Sequence, residues 1–156
     1  MRLAFGKTIA EIINNDKRNY VLMCDIGYGV FDHLHENNPD HLINTGIAEA
    51  ATIGMASGMA MEGLRPWVYT ITPFLLERPF EQIKIDVIGQ KQNVKLISYF
   101  DYDIMGTTHR TNNVEEICKI LKIDMIAPKS YQETVDVINT ISGEDKPYFI
   151  YLTKAN

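Results

Sequence analysis

Cysteine is scarce in this chain: only Cys24 and Cys118 occur among 156 residues. Cys24 lies in an apolar run and Cys118 in a helical pattern, with nothing like the close pairing of a zinc site. Buried free thiols are therefore expected rather than a disulfide scaffold. Long apolar runs are missing too, since no uncharged stretch reaches the ~20 residues that span a membrane. The opening Met1-Arg2-Leu3-Ala4-Phe5-Gly6-Lys7 lacks the apolar core of a signal peptide, so a cytoplasmic location is the expectation. Basic clusters are absent and the net charge is −5, which argues against nucleic acid as a partner. Repeats, linkers and low-complexity segments are also lacking, so residues 1–156 read as one domain. With 46% hydrophobic and 22% charged residues, that domain can bury a real core.

Against these absences, one stretch stands out. Residues 46–63 read as a helix in which nothing between Glu49 and Glu62 is charged and nearly every side chain is small or apolar. A helix with no polar face is expected to be covered on all sides. Ala50, Gly54 and Gly58 recur every four residues and make a nearly bare stripe where another helix backbone could come close. Glycine inside a helix costs about 1 kcal/mol relative to alanine, so two on one face point to packing, and to self-association through this helix. Glu49 opens the helix. A first-turn acid complements the helix dipole, but a carboxylate on a buried apolar helix also needs a polar partner, and none is visible nearby in the sequence.

The remaining pattern alternates strands with helices. Ile9, Ile12 and Ile13 fall at helical spacing in a first amphipathic helix over 5–15. Residues 20–24 form a continuous apolar run stopped by Asp25-Ile26-Gly27-Tyr28-Gly29, the signature of a buried parallel strand followed by a glycine loop. Asp25 lies where ligand-facing residues sit in open α/β sheets. His33, His35 and His41 match no zinc spacing and read as part of a solvated loop, with a short strand at 41–44. Strands are predicted at 66–71, 94–99, 125–127 and 148–152. Helices are predicted at 76–89, 114–121 and 130–141, the last opened by the capping box Ser130-x-x-Glu133. A polar loop carrying Asp101, Asp103 and His109 follows the 94–99 strand, a usual place for ligand-binding groups. This alternation predicts a doubly wound α/β domain, a mostly parallel sheet with helices on both faces.

Four stretches in order, Gly46-Ile47-Ala48-Glu49 with Glu62-Gly63-Leu64-Arg65-Pro66, then Thr72-Pro73-Phe74 through Phe80-Glu81-Gln82-Ile83, then Gly106-Thr107-Thr108-His109, and finally Pro128 to Glu133, are similar to the pyrimidine-binding domain of transketolase-like enzymes. The resemblance covers nearly the whole chain and implies thiamine diphosphate as cofactor. It implies that Glu49 hydrogen-bonds a ring nitrogen of the aminopyrimidine, promoting the imino form that deprotonates the thiazolium carbon. Phe74, or else Phe80, is implied to pack on the pyrimidine, although both also suit a core role, and one extra residue separates Phe74 from Gln82. Ile47 and Asp25 are expected beside the cofactor, Asp25 matching the acid of a loop near the first strand. His109 is expected on the substrate side as a proton-transfer or polar stabilising group.

Departures from the family pattern bear on substrate. Met105 stands where an Asp often reads a sugar hydroxyl, Ala127 where an arginine meets the sugar phosphate, and Gly29 where a phosphate-contacting serine is usual. The Gly-Asp-Gly signature of the domain that holds the diphosphate and Mg2+ does not occur, so no metal ligand is expected and magnesium is assigned mainly to a partner subunit. The expectation is one subunit of a split, heterotetrameric enzyme that moves a two-carbon ketol unit from a ketose to an aldehyde, with a sugar or keto substrate. A decarboxylating or acyloin-forming subunit, as in deoxyxylulose phosphate synthase or the pyruvate dehydrogenase beta chain, and a noncatalytic interaction module remain as alternatives.

Overall fold

Six short stretches rich in β-branched and aromatic residues pair edge to edge, and the helices between them return the chain each time to the same end of the sheet. In the computed structural model, which describes residues 1–99 and 105–153, the order of elements is α1 (Arg2–Asn15), β1 (Asn19–Met23), α2 (Asp32–Asn37), a 3₁₀ turn (Pro39–His41), β2 (Leu42–Asn44), α3 (Glu49–Met61) and β3 (Arg65–Ile71). Then come α4 (Thr72–Leu76), α5 (Phe80–Gln82) widening into a π-helix (Ile83–Gly89), β4 (Lys95–Tyr99), a 3₁₀ turn (Thr107–His109), α6 (Val114–Leu121), β5 (Asp124–Ile126), α7 (Tyr131–Ser142) and β6 (Tyr148–Leu152). Among the described residues all strand pairings are parallel, in the order β2-β1-β3-β4-β6-β5.

Alternation along the strands splits the core in two. Val21, Trp67, Tyr69, Ile97 and Ile150 point to one face, where α1, α2 and α7 supply Phe5, Ile9, Leu34 and Ile138. Leu22, Val68, Leu96 and Phe149 point to the other, against Ile53 of α3, Leu75 of α4, Ile83 and Val87 of the π-helix, and Leu121 of α6. This is the expected doubly wound architecture.

Three local expectations change. His33 and His35 lie in the short helix α2 and His41 ends a 3₁₀ turn, because Leu34 reaches the core and draws this polar segment into helical turns. Tyr20 stacks on the His41 ring, with centroids 4.5 Å apart. The helix expected at 76–89 is broken at Glu77–Pro79, since a proline removes a backbone donor and disfavours helix in the residue before it. Finally, α3 is covered on one face only. Glu49, Thr52, Ile53, Ala56 and Ser57 are buried, whereas Ala50, Ala51, Gly54, Met55, Gly58 and Met61 are exposed. One sheet can cover only one side of a helix, so the bare stripe faces outward. Asp101 and Asp103 lie outside the described residues.

Candidate functional site

Strand order reverses at β1, which has β2 on one side and β3 on the other. In open α/β sheets the crevice beyond the strand carboxyl ends at such a point is where ligands bind. Here it holds a cavity of about 320 Å³. Cys24 and Asp25 leaving β1, Thr70 and Ile71 at the end of β3, Ile47 and Glu49 at the start of α3, Phe74 of α4, and Met105 and His109 form its walls. Five of the six residues singled out in the sequence meet there: Asp25, Ile47, Glu49, Phe74 and His109. The sixth, Phe80, does not line the cavity and packs partly buried against the α3-side core.

Glu49 is the first residue of α3, so its carboxylate sits at the positive end of the helix. It is only 5% exposed. The fold supplies the partner that no neighbour in the chain could: Arg78 Nη1 donates a 2.8 Å hydrogen bond to Glu49 Oε1. The same guanidinium lies over the Phe74 ring, 3.4 Å from its centroid. His109 meets Phe74 edge-on, with ring centroids 4.9 Å apart. Its Nδ1 is 2.9 Å from Thr108 Oγ1, a hydroxyl that can donate to the ring and leave Nε2 as the proton-carrying nitrogen.

Asp25 adopts a left-handed backbone, φ 52°, a conformation that Asp tolerates better than most side chains. Asn44 at the end of β2 holds it in place. The Asn44 amide nitrogen donates to Asp25 Oδ1 at 3.1 Å, and Asn44 Oδ1 accepts from the backbone N–H groups of Asp25 and Gly46 at 3.1 and 3.0 Å. One side chain thereby ties the β1 loop to the turn that delivers Glu49. Beneath the cavity, burial pushes the Cys24 thiol up, against hydrogen bonds with Thr52 and Thr45 that pull the other way. Cys24 is thus a neutral wall and not a nucleophile.

Three residues of the site were not found from sequence: Asn44, Thr70 and Arg78. Thr70 is fully buried and its hydroxyl has no hydrogen-bond partner among the described residues, an arrangement that is costly unless a ligand supplies one. Arg78 left one trace, being the sole cation between Arg65 and Lys84 in the sequence. A mostly apolar cavity with one buried carboxylate, an aromatic face and an orphaned hydroxyl fits a flat heteroaromatic ring bearing hydrogen-bonding nitrogens. Among the described residues, no group of three or more His, Cys, Asp or Glu could hold a metal ion. Nor is any described helix long and apolar enough to cross a membrane.

Comparison with known proteins agrees with this geometry. A split-gene transketolase, described as an inactive beta4 tetramer, superposes with a TM-score of 0.89 at 24% identity, over 99% of this chain and 51% of that one. Transketolase from Campylobacter jejuni superposes with a TM-score of 0.84 at 19% identity, over 97% of this chain and 25% of that one. At those identities the likeness establishes the fold. In sequence, the chain is 32% identical over its whole length to an uncharacterized 33.6 kDa protein of the fasciation locus of Rhodococcoides fascians, of which it spans 52%. It is 33% identical over 73% of its length to one subunit of the apulose-4-phosphate transketolase of Actinobacillus succinogenes, of which the match spans 38%. The chain thus spans about half or less of these curated relatives. The family described as "Transketolase, pyrimidine binding domain" matches residues 1–156, and the chain belongs to that family.

Proposed function

We propose that this chain is the pyrimidine-binding part of a thiamine diphosphate-dependent, transketolase-like enzyme that works with a diphosphate-binding partner. The reaction is transfer of a two-carbon ketol unit from a ketose donor to an aldehyde acceptor. The observation that carries this reading is Glu49, a buried carboxylate in the wall of an apolar cavity that the Phe74 ring also lines. Thiamine diphosphate, when bound, supplies the carbanion chemistry.

The protein's share is orientation and proton handling. With the cofactor bound, Glu49 would hydrogen-bond a pyrimidine ring nitrogen, Phe74 and Ile47 would pack on the ring and exclude water, and Thr70 would offer its hydroxyl to a polar ring substituent. His109, edge-on to Phe74 in the same cavity wall, would face the substrate and move a proton at its oxygen. Mg2+ and the diphosphate belong to a separate partner chain; the similarity to a protein that is itself one subunit of a transketolase supports that division. The exposed small-residue face of α3 meets a second copy of the chain, giving a heterotetramer, and a cytoplasmic setting suits its sugar or keto substrate.

The test is proton–deuterium exchange at the thiazolium carbon, which needs no knowledge of the substrate. With the partner chain added, the parent should exchange rapidly, while Glu49→Gln should assemble normally and lose most of the rate, on the order of 10²-fold or more, as expected for a positioned acid–base group. Equal exchange rates would reduce Glu49 to a helix-dipole acid. Tight magnesium-dependent cofactor binding by this chain alone would remove the partner. Product analysis with pyruvate against a ketose then separates the ketol-transfer reaction from the decarboxylating one.

A further inference from the structure

Two residues beside the ring cavity hold a left-handed backbone: Asp25 at φ 52°, where the chain leaves β1, and Gly46 at φ 72°, where it turns from β2 toward α3. Left-handed geometry crowds the Cβ of Asp25. Such a conformation persists only where its surroundings over-determine it, and such positions gather at functional sites. Here one atom holds both turns. The N–H groups of Asp25 and Gly46 donate to the same oxygen, Asn44 Oδ1, at 3.1 and 3.0 Å. A backbone N–H only donates, so the atom between them is the amide oxygen. The Asn44 amide nitrogen is thereby turned to the Asp25 carboxylate, to which it donates at 3.1 Å.

We propose that Asn44 is the positioning residue of the pyrimidine site: its amide oxygen pins the two left-handed turns that bring Asp25 and Glu49 to the cavity, and the Asp25 carboxylate keeps that amide the right way round. This inference rests on the thiamine reading of the cavity. Asn44 ends a three-residue edge strand that pairs with β1 alone, and it is exposed. The chain beyond it carries Ile47 and Glu49 into the cavity wall. A second hold, from the Thr45 N–H and hydroxyl to the Met23 carbonyl, fixes the end of β2 to β1 but does not reach the loop after β1. Asn44 itself lines the neighbouring cavity of about 250 Å³ and not the ring cavity, so it acts through Ile47 and Glu49. The latch needs one amide facing one carboxylate, in either order, because two carboxylates at that distance repel.

The experiment swaps the pair and reads ring affinity. Its probe is 4-amino-2-methylpyrimidine, the neutral ring without thiazolium or diphosphate, titrated by NMR into the full chain together with its partner. Asp25→Asn keeps an acceptor in front of the Asn44 amide and should bind the ring within about twofold of the parent. Asn44→Asp sets two carboxylates against each other and should bind about tenfold more weakly, the loss of one charge-assisted hydrogen bond. Asp25→Asn combined with Asn44→Asp restores the pair in reverse and should return to within about threefold of the parent. Amide hydrogen exchange separates this role from general support of the fold. The Asp25 and Gly46 N–H groups should exchange about tenfold faster in Asn44→Asp and regain protection in the swap, while the amides of β3 and β4 keep the parent's rates. Should Asn44→Asp not fold, Asn44→Ala takes its place in both measurements. Parent-like ring affinity in the position 44 variant, or a swap as weak as that variant, overturns the positioning role. An equal loss in Asp25→Asn overturns it too and makes Asp25 a cofactor ligand. Failure of parent and variants alike to bind the ring overturns the thiamine reading, and the inference with it.

Discussion

At the scale of single residues, the site is marked by groups whose bonding inside the chain is incomplete. Thr70 is the clearest. Its hydroxyl is buried on β3 without a partner among the described residues, and such a group costs about 1–3 kcal/mol. We expect Thr70→Val, which keeps shape and removes the hydroxyl, to be neutral or to stabilise the chain by up to about 1 kcal/mol in urea unfolding. The same change should weaken aminopyrimidine binding several-fold, and a loss of stability would show that the hydroxyl is satisfied within the protein. His109 is tested through turnover. Because it touches Phe74 only edge-on, His109→Ala should leave cofactor affinity nearly unchanged while slowing donor turnover by about 10²–10⁴-fold. Unaltered kinetics in the reconstituted enzyme would make it a packing residue. Glu49, Phe74 and His109 were legible because the family motifs carry them. Arg78 was not, because it meets Glu49 from 29 residues away.

At the scale of elements, α3 separates folding from assembly. A side chain added at Gly58 meets nothing within 4 Å, so Gly58→Leu has room within the chain. Replacing a helical glycine with a better helix former should even stabilise the isolated chain by about 0.5–1 kcal/mol. If a second copy packs on the stripe of Ala50, Gly54 and Gly58, the same leucine overpacks that contact. Analytical ultracentrifugation should then show a shift to smaller species at raised melting temperature. Unchanged association would leave the stripe a bare surface. Periodicity revealed α1, α6 and α7, whereas α3 was readable from its uncharged run of small and apolar residues. It missed α2 because five polar residues around one buried leucine carry too little periodic signal. It fused α5 with the preceding turn because the apolar spacing runs on through the Arg78-Pro79 break. The Ser130 cap was readable, and its hydroxyl accepts from the Glu133 N–H at 3.1 Å.

At the scale of the whole molecule, the end of the sheet opposite the cavity is held by a buried cation. Lys95 at the start of β4 is 2% exposed. Its ammonium donates to the carbonyl oxygens of Glu144 and Lys146, at 2.8 and 2.6 Å, and to the Asn93 side chain. Burial, then the nearby charge of Arg65, lowers its pKa from 10.5 to about 8. Between those two values the unfolded chain keeps a proton that the folded chain has released, so this group adds stability as pH rises, up to about 3 kcal/mol. The thiols work the other way. Burial raises Cys118 from 9.0 to about 11, which costs stability above pH 9. Comparing the parent with Lys95→Met cancels the thiol contribution. The difference in unfolding free energy should move in favour of the parent from about pH 8 to about pH 10, and a pH-independent difference would show that folding leaves the Lys95 pKa where it is in the unfolded chain.

What the sequence determined by itself was local or repeated: which segments are apolar with period two or 3.6, the strand-then-helix alternation that makes a parallel sheet, and motifs whose residues lie within a few positions of one another. Only the tertiary structure decided the rest. The order β2-β1-β3-β4-β6-β5 places the reversal, and so the crevice, beside β1. It left one face of α3 open, because a sheet covers a helix from one side. It joined Asn44 to Asp25 and Arg78 to Glu49. Hydrogen bonds and ion pairs of this kind depend on distances of about 3 Å between residues whose separation along the chain carries no information, so they exist only once the sheet has brought its strand ends together.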